Sequence, residues 1–346
     1  MWGEAGADFV SGGDGNDDIQ TGGAPDTIHA GSGDDDTAAG RSGDILSGGP
    51  GDDGISGGPG RDLVSYRGSG SAVEVSITSG LGIGDGADSL VAIENIEGSA
   101  HDDELDGGAG RSLIKAGRGE DEVDGSGGSD ELVGGLGRDD ITGGPGGDVL
   151  SGVDGADELR GGEGPDFFFG QNGNDIMTGG KGDDELRGAD GIDVAAGGRG
   201  DDFFDGGDET DVMTYESAPA PVEANLQSNE ASGEGDDAFF SVENITGSDF
   251  DDTITGNEAA NGLRGGGGDD DISAIGNDDE VAGGVGDDEI DGSAGFDDLY
   301  GNAGNDEIDG GSEDDHLDGG AGFDDLDGGS ETDTCDNGEI ENNCEG

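Results

Sequence analysis

The chain has 346 residues, with 87 Asp and Glu against 12 Lys and Arg, a formal charge of -75, 83 Gly and only 28% hydrophobic residues. So few apolar side chains cannot fill one large interior, and self-repulsion at this charge opposes a compact state, which argues against an ordinary enzyme core. A polyanion of this density also repels nucleic acid phosphates and anionic bilayers, and no stretch approaches 18 consecutive apolar residues, so neither a nucleic acid partner nor a membrane span is expected. The natural partner is a cation.

Met1-Trp2-Gly3-Glu4 offers neither a basic nor an apolar leader region, so a secretory signal is absent, already removed, or encoded upstream. From Gly3 a nine-residue period takes over. Seven units run without a break over residues 3–65, with Asp8, Asp17, Asp26, Asp35, Asp44, Asp53 and Asp62 at the sixth position. Residues 66–97 form a spacer. Thirteen units follow over 98–214, with Asp103, Ser112, Asp121, Asp130, Asp139, Asp148, Asp157, Asp166, Asp175, Asp184, Asp193, Asp202 and Asp211 at that position. A second spacer covers 215–246. Ten units over 247–336 then carry Asp252, Asn261, Asp270, Asp279, Asp288, Asp297, Asp306, Asp315, Asp324 and Asp333, and residues 337–346 form a terminal cap. The eighth position is aliphatic, Phe or Met throughout, apart from Thr37, Ala195 and Cys335.

The two spacers are copies of one another. Tyr66 aligns with Tyr215, Val73-Glu74 with Val222-Glu223, and Ile93-Glu94-Asn95-Ile96 with Val242-Glu243-Asn244-Ile245, a duplication of 149 residues. Alternation over Ala72–Thr78 predicts a half-buried strand, so the spacer is expected to continue the sheet as a wider turn; a flexible linker is the other reading.

The best-preserved units, Gly48-Gly49-Pro50-Gly51-Asp52-Asp53-Gly54-Ile55-Ser56 and Gly179-Gly180-Lys181-Gly182-Asp183-Asp184-Glu185-Leu186-Arg187, fit the pattern G-G-x-G-x-D-x-U-x with U a large apolar residue. This resembles the RTX calcium-binding repeat family. The Gly-rich first six residues predict a tight turn and the last three a short strand whose eighth residue points inward. Two units per turn give an 18-residue coil: an all-β, right-handed parallel β-roll with two columns of apolar side chains and strands ~4.8 Å apart.

In such a roll the Asp of one unit lies near the Asp two units on, so that Asp121 sits over Asp139. Two carboxylates about 4 Å apart repel by about 4 kcal/mol at an effective dielectric of about 20. A cation between them reverses the sign. Ca²⁺ suits a site of carboxylates and backbone carbonyls, whereas Mg²⁺ demands a stricter octahedron. Zinc and copper prefer His or Cys, and His29, His101 and His316 stand apart. Ions bridging alternate units number at most about 24, and their 48 positive charges would bring -75 to about -27. The chain is therefore expected to fold as it binds Ca²⁺ at ~0.1 to 1 mM. Ser112 and Asn261 weaken a few sites, and acidic residues at position seven, such as Asp18, Glu104, Glu122 and Glu185, read as solvated outer face.

Phe168 and Phe204 are expected to fill the roll, although the Phe167–Phe169, Phe203–Phe204 and Phe239–Phe240 clusters could also mark a binding patch. Gly54-Ile55-Ser56-Gly57-Gly58 matches a nucleophile elbow by coincidence of Gly content, since it straddles two repeats and has no His and acid partners. Cys335 and Cys344 close one short loop, which fits a disulfide in an oxidising compartment; free thiols in a cytosolic protein are the alternative. The resemblance implies an extracellular, secreted or cell-surface protein, folded outside the cell. Three functions remain open: a noncatalytic calcium-binding roll, a surface adhesin or matrix component with a cell-surface partner, or the repeat region of a secreted hydrolase or toxin whose catalytic part lies outside this sequence.

Overall fold

The computed structural model describes residues 1–3, 6–338 and 340–344; residues 4 and 5 of the first repeat and 339, 345 and 346 of the cap lie outside it. The chain divides into two compact units, Met1–Ile176 and Met177–Gly346. Each is an all-β parallel roll, and no described residue is helical, so no helix is long and apolar enough to cross a membrane.

In the first unit one face stacks strands from alternate repeats. Phe9–Asp14 pairs in parallel with Thr27–Ser32, placing Phe9 opposite Thr27, and Thr27–Ser32 pairs with Ile45–Ser47. The other face stacks Asp18–Gln20, Asp36–Ala38 and Gly54–Ser56 in the same 18-residue register. The second unit repeats this plan, for example in Gly262–Gly267, Glu280–Val285 and Asp298–Ala303 on one face and Asp271–Ser273, Glu289–Asp291 and Glu307–Asp309 on the other.

The register stacks the eighth residues into inward columns. Leu132, Leu150 and Phe168 follow one another along one column and are fully buried. Phe204 is likewise enclosed, so the inward phenylalanines fill the roll while Phe167 and Phe203 face out. Ala195 and Thr37 are buried where larger residues would normally stand, and Cys335 lies opposite Leu317 near the last turn. A disulfide joins Cys335 to Cys344 with their Cα atoms 5.7 Å apart.

Each spacer adds strands unevenly. In the first, Ala87–Val91 pairs in parallel with Gly54–Ser56 and Glu74–Ser76 with Glu104–Asp106, and between them Leu81–Ile83 pairs antiparallel with both. The opposite face gains one strand, Asn95–Glu97, between Leu63–Ser65 and Leu113–Arg118. The second spacer has the same layout: Asp236–Phe240, Glu230–Ser232 and Glu223–Asn225 on one face and Asn244–Thr246 on the other.

Candidate metal sites between turns

The loop that precedes each strand carries the sixth-position aspartate inward. From Asp26 to Asp333 all are buried, while Asp8 and Asp17, in the first turns, are half-buried. From Asp26 on, Oδ1 is held by a backbone N–H of the turn before it. The backbone N–H of Asp121 donates to Asp139 Oδ1 at 3.0 Å, that of Asp139 to Asp157 at 2.8 Å, and that of Asp270 to Asp288 at 2.9 Å. The same contact recurs at 2.7–3.0 Å through both units, as for Asp17 with Asp35, Asp44 with Asp62 and Asp315 with Asp333.

The second oxygen is different. Oδ2 of Asp35, Asp44, Asp53, Asp62, Asp121, Asp130, Asp139, Asp148 and Asp157 in the first unit, and of Asp202, Asp211, Asp270, Asp279, Asp288, Asp297, Asp306, Asp315 and Asp333 in the second, is buried with no hydrogen-bond partner. A buried anionic oxygen without a donor or counter-charge is costly.

In most of these units a first-position glycine leaves the space that Oδ2 faces, while Ala30, Ala39, Ala116 and Ala274 stand there in the units of Asp35, Asp44, Asp121 and Asp279. At Gly143 the point a Cβ would occupy is 2.6 Å from Asp148 Oδ2 and 2.8 Å from the carbonyl oxygen of Gly161, one turn on. At Gly292 the corresponding distances, to Asp297 Oδ2 and the Gly310 oxygen, are both 2.7 Å. A carboxylate oxygen and a backbone carbonyl from successive turns thus converge on one gap. The fourth position is also confined to glycine: Gly137 has φ of 134°, and a Cβ there would overlap the Gly119 carbonyl of the turn below.

Packing acids in columns perturbs them. Asp139 is pushed up to about 7, mainly by burial and further by the charges of Asp121 and Asp157, against the opposing effect of the Asp121 N–H. Asp202, Asp270, Asp279 and Asp315 also reach about 7, and Asp53, Asp62, Asp121, Asp157 and Asp211 about 6, with burial the largest cause in each. The bare columns therefore hold protons close to neutral pH. A hard dication would relieve both the burial of charge and the repulsion between turns.

Among the described residues no three His, Cys, Asp or Glu side chains gather as a metal cluster. The oxygens that converge between turns are carboxylates and backbone carbonyls, a donor set that suits calcium and not the nitrogen- and sulfur-preferring metals.

The two departures from Asp behave differently from their neighbours. Ser112 keeps the backbone contact, its N–H donating to Asp130 Oδ1 at 2.6 Å, but its hydroxyl turns to the Gly110 carbonyl. Asn261 spends its amide on the Asn257 N–H and the Glu243 carbonyl, both at 2.8 Å. Asp103 and Asp252, first after each spacer, also differ: Ser99 and Ser248 donate backbone and hydroxyl protons to them.

The nine-residue frame misses four acids that complete the columns. Asp88 and Asp237, inside the spacers, accept the N–H groups of Asp53 and Asp202 at 3.1 Å, and Glu94 and Glu243 accept those of Asp62 and Asp211 at 2.9 and 3.0 Å. Asp88 is further bound by the Tyr66 hydroxyl at 2.9 Å. Tyr215 lies beside Asp237, and burial together with that carboxylate pushes its phenol well above the ordinary value. A sequence signal did exist, since both aspartates recur at the same place in the two copies.

The family described as RTX calcium-binding nonapeptide repeat (4 copies) matches residues 11–41, 29–64, 97–132, 116–150, 124–159, 151–186, 187–217, 242–272, 273–308, 282–317 and 309–339. These segments take in all three repeat blocks and pass over most of both spacers. No curated protein matches the chain. With well over half its length matched, and with the glycine-lined gaps and aspartate columns described above, the chain belongs to the RTX calcium-binding nonapeptide repeat family.

Proposed function

We propose that this is a secreted, noncatalytic protein that folds on binding many Ca²⁺ ions between the turns of its roll, with the sixth-position aspartates as side-chain ligands. The observation that carries this reading is the row of buried Oδ2 atoms without a hydrogen-bond donor, several of which face a backbone carbonyl of the next turn across a glycine, as those of Asp148 and Asp297 do. Calcium supplies the missing charge there and tolerates a mixed set of carboxylate and carbonyl oxygens. In its absence the same columns oppose folding, so binding and folding are one equilibrium. An extracellular setting is supported by the calcium range that such sites take and by the disulfide at Cys335 and Cys344, which an oxidising compartment preserves.

A calcium titration followed by far-UV circular dichroism tests this. The β signal is expected to rise cooperatively over the ~0.1 to 1 mM range. Full β signal at neutral pH in excess chelator would overturn it.

A further inference from the structure

On the outside of the first unit the strands Asn95–Glu97, Leu113–Arg118, Glu131–Leu136 and Val149–Asp154 follow one another in parallel, one turn apart. Over them lies an open groove of about 500 Å³ whose side chains change character along the roll, from Arg67, Lys115 and Arg118 at one end to Val133, Leu136 and Val153 at the other. The register fixes this order. Lys115 stands between Glu97 and Val133, Arg118 lies beside Leu136, and Val153 lies beside Gly135 one turn further on. Cations thus occupy the turns next to the spacer and apolar side chains the following two, over three strand spacings of ~4.8 Å each.

The roll itself needs neither end. In a chain of 87 acids and 12 basic residues, three of the 12 share this groove with one acid, Glu97. That carboxylate accepts the Ser65 hydroxyl at 2.6 Å and lies 3.8 Å from Arg67, whose side chain is 81% exposed. Among the described residues Lys115 and Arg118 are paired with no carboxylate. At the apolar end Leu136 is 39% exposed, and Val153 has φ of 92°, a conformation that a β-branched side chain resists. The strain is borne where that side chain completes the apolar wall. The aspartates of these same turns, Asp103, Asp121, Asp139 and Asp157, are buried beneath the groove and take no part in it. The second copy serves as an internal control. Shifted by 149 residues, Arg67 becomes Glu216, Arg118 becomes Gly267 and Val153 becomes Asn302, and only Lys115 keeps its charge, as Arg264. The same fold therefore forms without the cationic cluster, and with an asparagine, which takes positive φ readily, in place of the strained valine.

We propose that this groove binds a free anionic amphiphile, a single short alkyl chain with an acidic head group, with the head on Arg67, Lys115 and Arg118 and the chain along Val133, Leu136 and Val153. Guanidinium and ammonium groups give charge-assisted hydrogen bonds to carboxylate, sulfonate or phosphate oxygens, and the apolar wall takes the chain out of water. A cation has no place among three positive side chains. One head group meets the local cations alone, because salt screens the more distant acids, whereas an anionic bilayer would face the acids of the whole surface.

Calorimetric titration of octanesulfonate, kept below micelle formation, into the calcium-loaded full chain tests it. Methanesulfonate supplies the head group alone, octyl glucoside the chain without charge, and phosphatidylglycerol vesicles the same charge on a surface. Octanesulfonate should saturate a single site, and methanesulfonate and octyl glucoside should bind roughly tenfold or more weakly. The double variant Arg67→Glu, Arg118→Gly, which carries the residues of the second copy, should lose affinity by a similar factor. Val153→Asn should weaken octanesulfonate and leave methanesulfonate unchanged. Circular dichroism in calcium reports whether each variant keeps its roll; should the double variant lose it, Lys115→Gln, at an exposed position, gives the same reading. Absent binding, equal binding of octyl glucoside, or undiminished binding in the folded cation variants overturns the proposal, as does binding to the vesicles without binding of the free amphiphile. Each of these results leaves the calcium sites between turns standing.

Discussion

Replacing Asp139 by Asn should have opposite effects with and without calcium. The carboxyl is buried between Asp121 and Asp157 and pushed from 3.8 to about 7. Near pH 8 that shift costs the metal-free fold about 4 kcal/mol, at roughly 1.36 kcal/mol per pH unit. Asn removes the charge yet can still accept the Asp121 N–H, and Asn261 shows that an amide is accommodated at this position. In chelator at pH 8, Asp139→Asn should therefore shift the equilibrium toward the roll by up to that amount, read as a lower osmolyte concentration needed to induce β signal. Because the folded carboxyl is protonated below about 7, the advantage should fade with acid and drop under about 1 kcal/mol at pH 4. In calcium the sign reverses. Losing one ion that was present at a hundred times its dissociation constant costs ~2.7 kcal/mol, and urea midpoints should fall accordingly. If Asn destabilises equally in chelator and in calcium, the carboxylate is not an electrostatic burden on the bare fold and the reasoning fails.

The metal-free chain should gain β structure as pH falls from about 7 toward about 4, since Asp139, Asp202, Asp270, Asp279 and Asp315 take up protons there on folding; the calcium midpoint should move to higher concentration over the same range, and circular dichroism titrations at several pH values check both. Gly137→Ala places a Cβ against the Gly119 carbonyl at a φ of 134°, so it should raise the calcium midpoint and cost more than the ~1 kcal/mol of a strained backbone alone. Phe168→Ala empties one of the two largest fully buried side chains and should cost ~3–5 kcal/mol, seen as a lower melting temperature in saturating calcium. Reducing the Cys335–Cys344 bond releases a short loop worth roughly 2–3 kcal/mol, and hydrogen exchange should quicken in the last turns while residues 98–176 stay unchanged.

The repeat was legible because it is written in side chains whose roles do not depend on distant context. An Asp every nine residues, an apolar residue two positions later and Gly where a Cβ would strike a neighbouring carbonyl together fix the turn, the strand and the 18-residue register. The spacers were less legible. The Ala72–Thr78 alternation points to a strand, which the structure confines to Glu74–Ser76. The antiparallel Leu81–Ile83 is three residues long and its counterpart reads Glu230-Ala231-Ser232, too short and too variable for any periodic signal. Asp88 lies 35 residues from Asp53 and so falls outside the period, though it performs the same hydrogen bonding. Sequence marks the residue type; partners brought by an insertion become visible only in three dimensions.

Because every repeat pairs with the one two places away, copy number acts as a ruler with parity. Adding a pair of nonapeptides moves whatever follows one step along the same side of its roll; adding one turns it over to the opposite side. Such length variants would leave the hydrogen-bond ladder intact, so related chains can differ in reach and in the side on which a decorated insertion is displayed without any change to how a single rung is built.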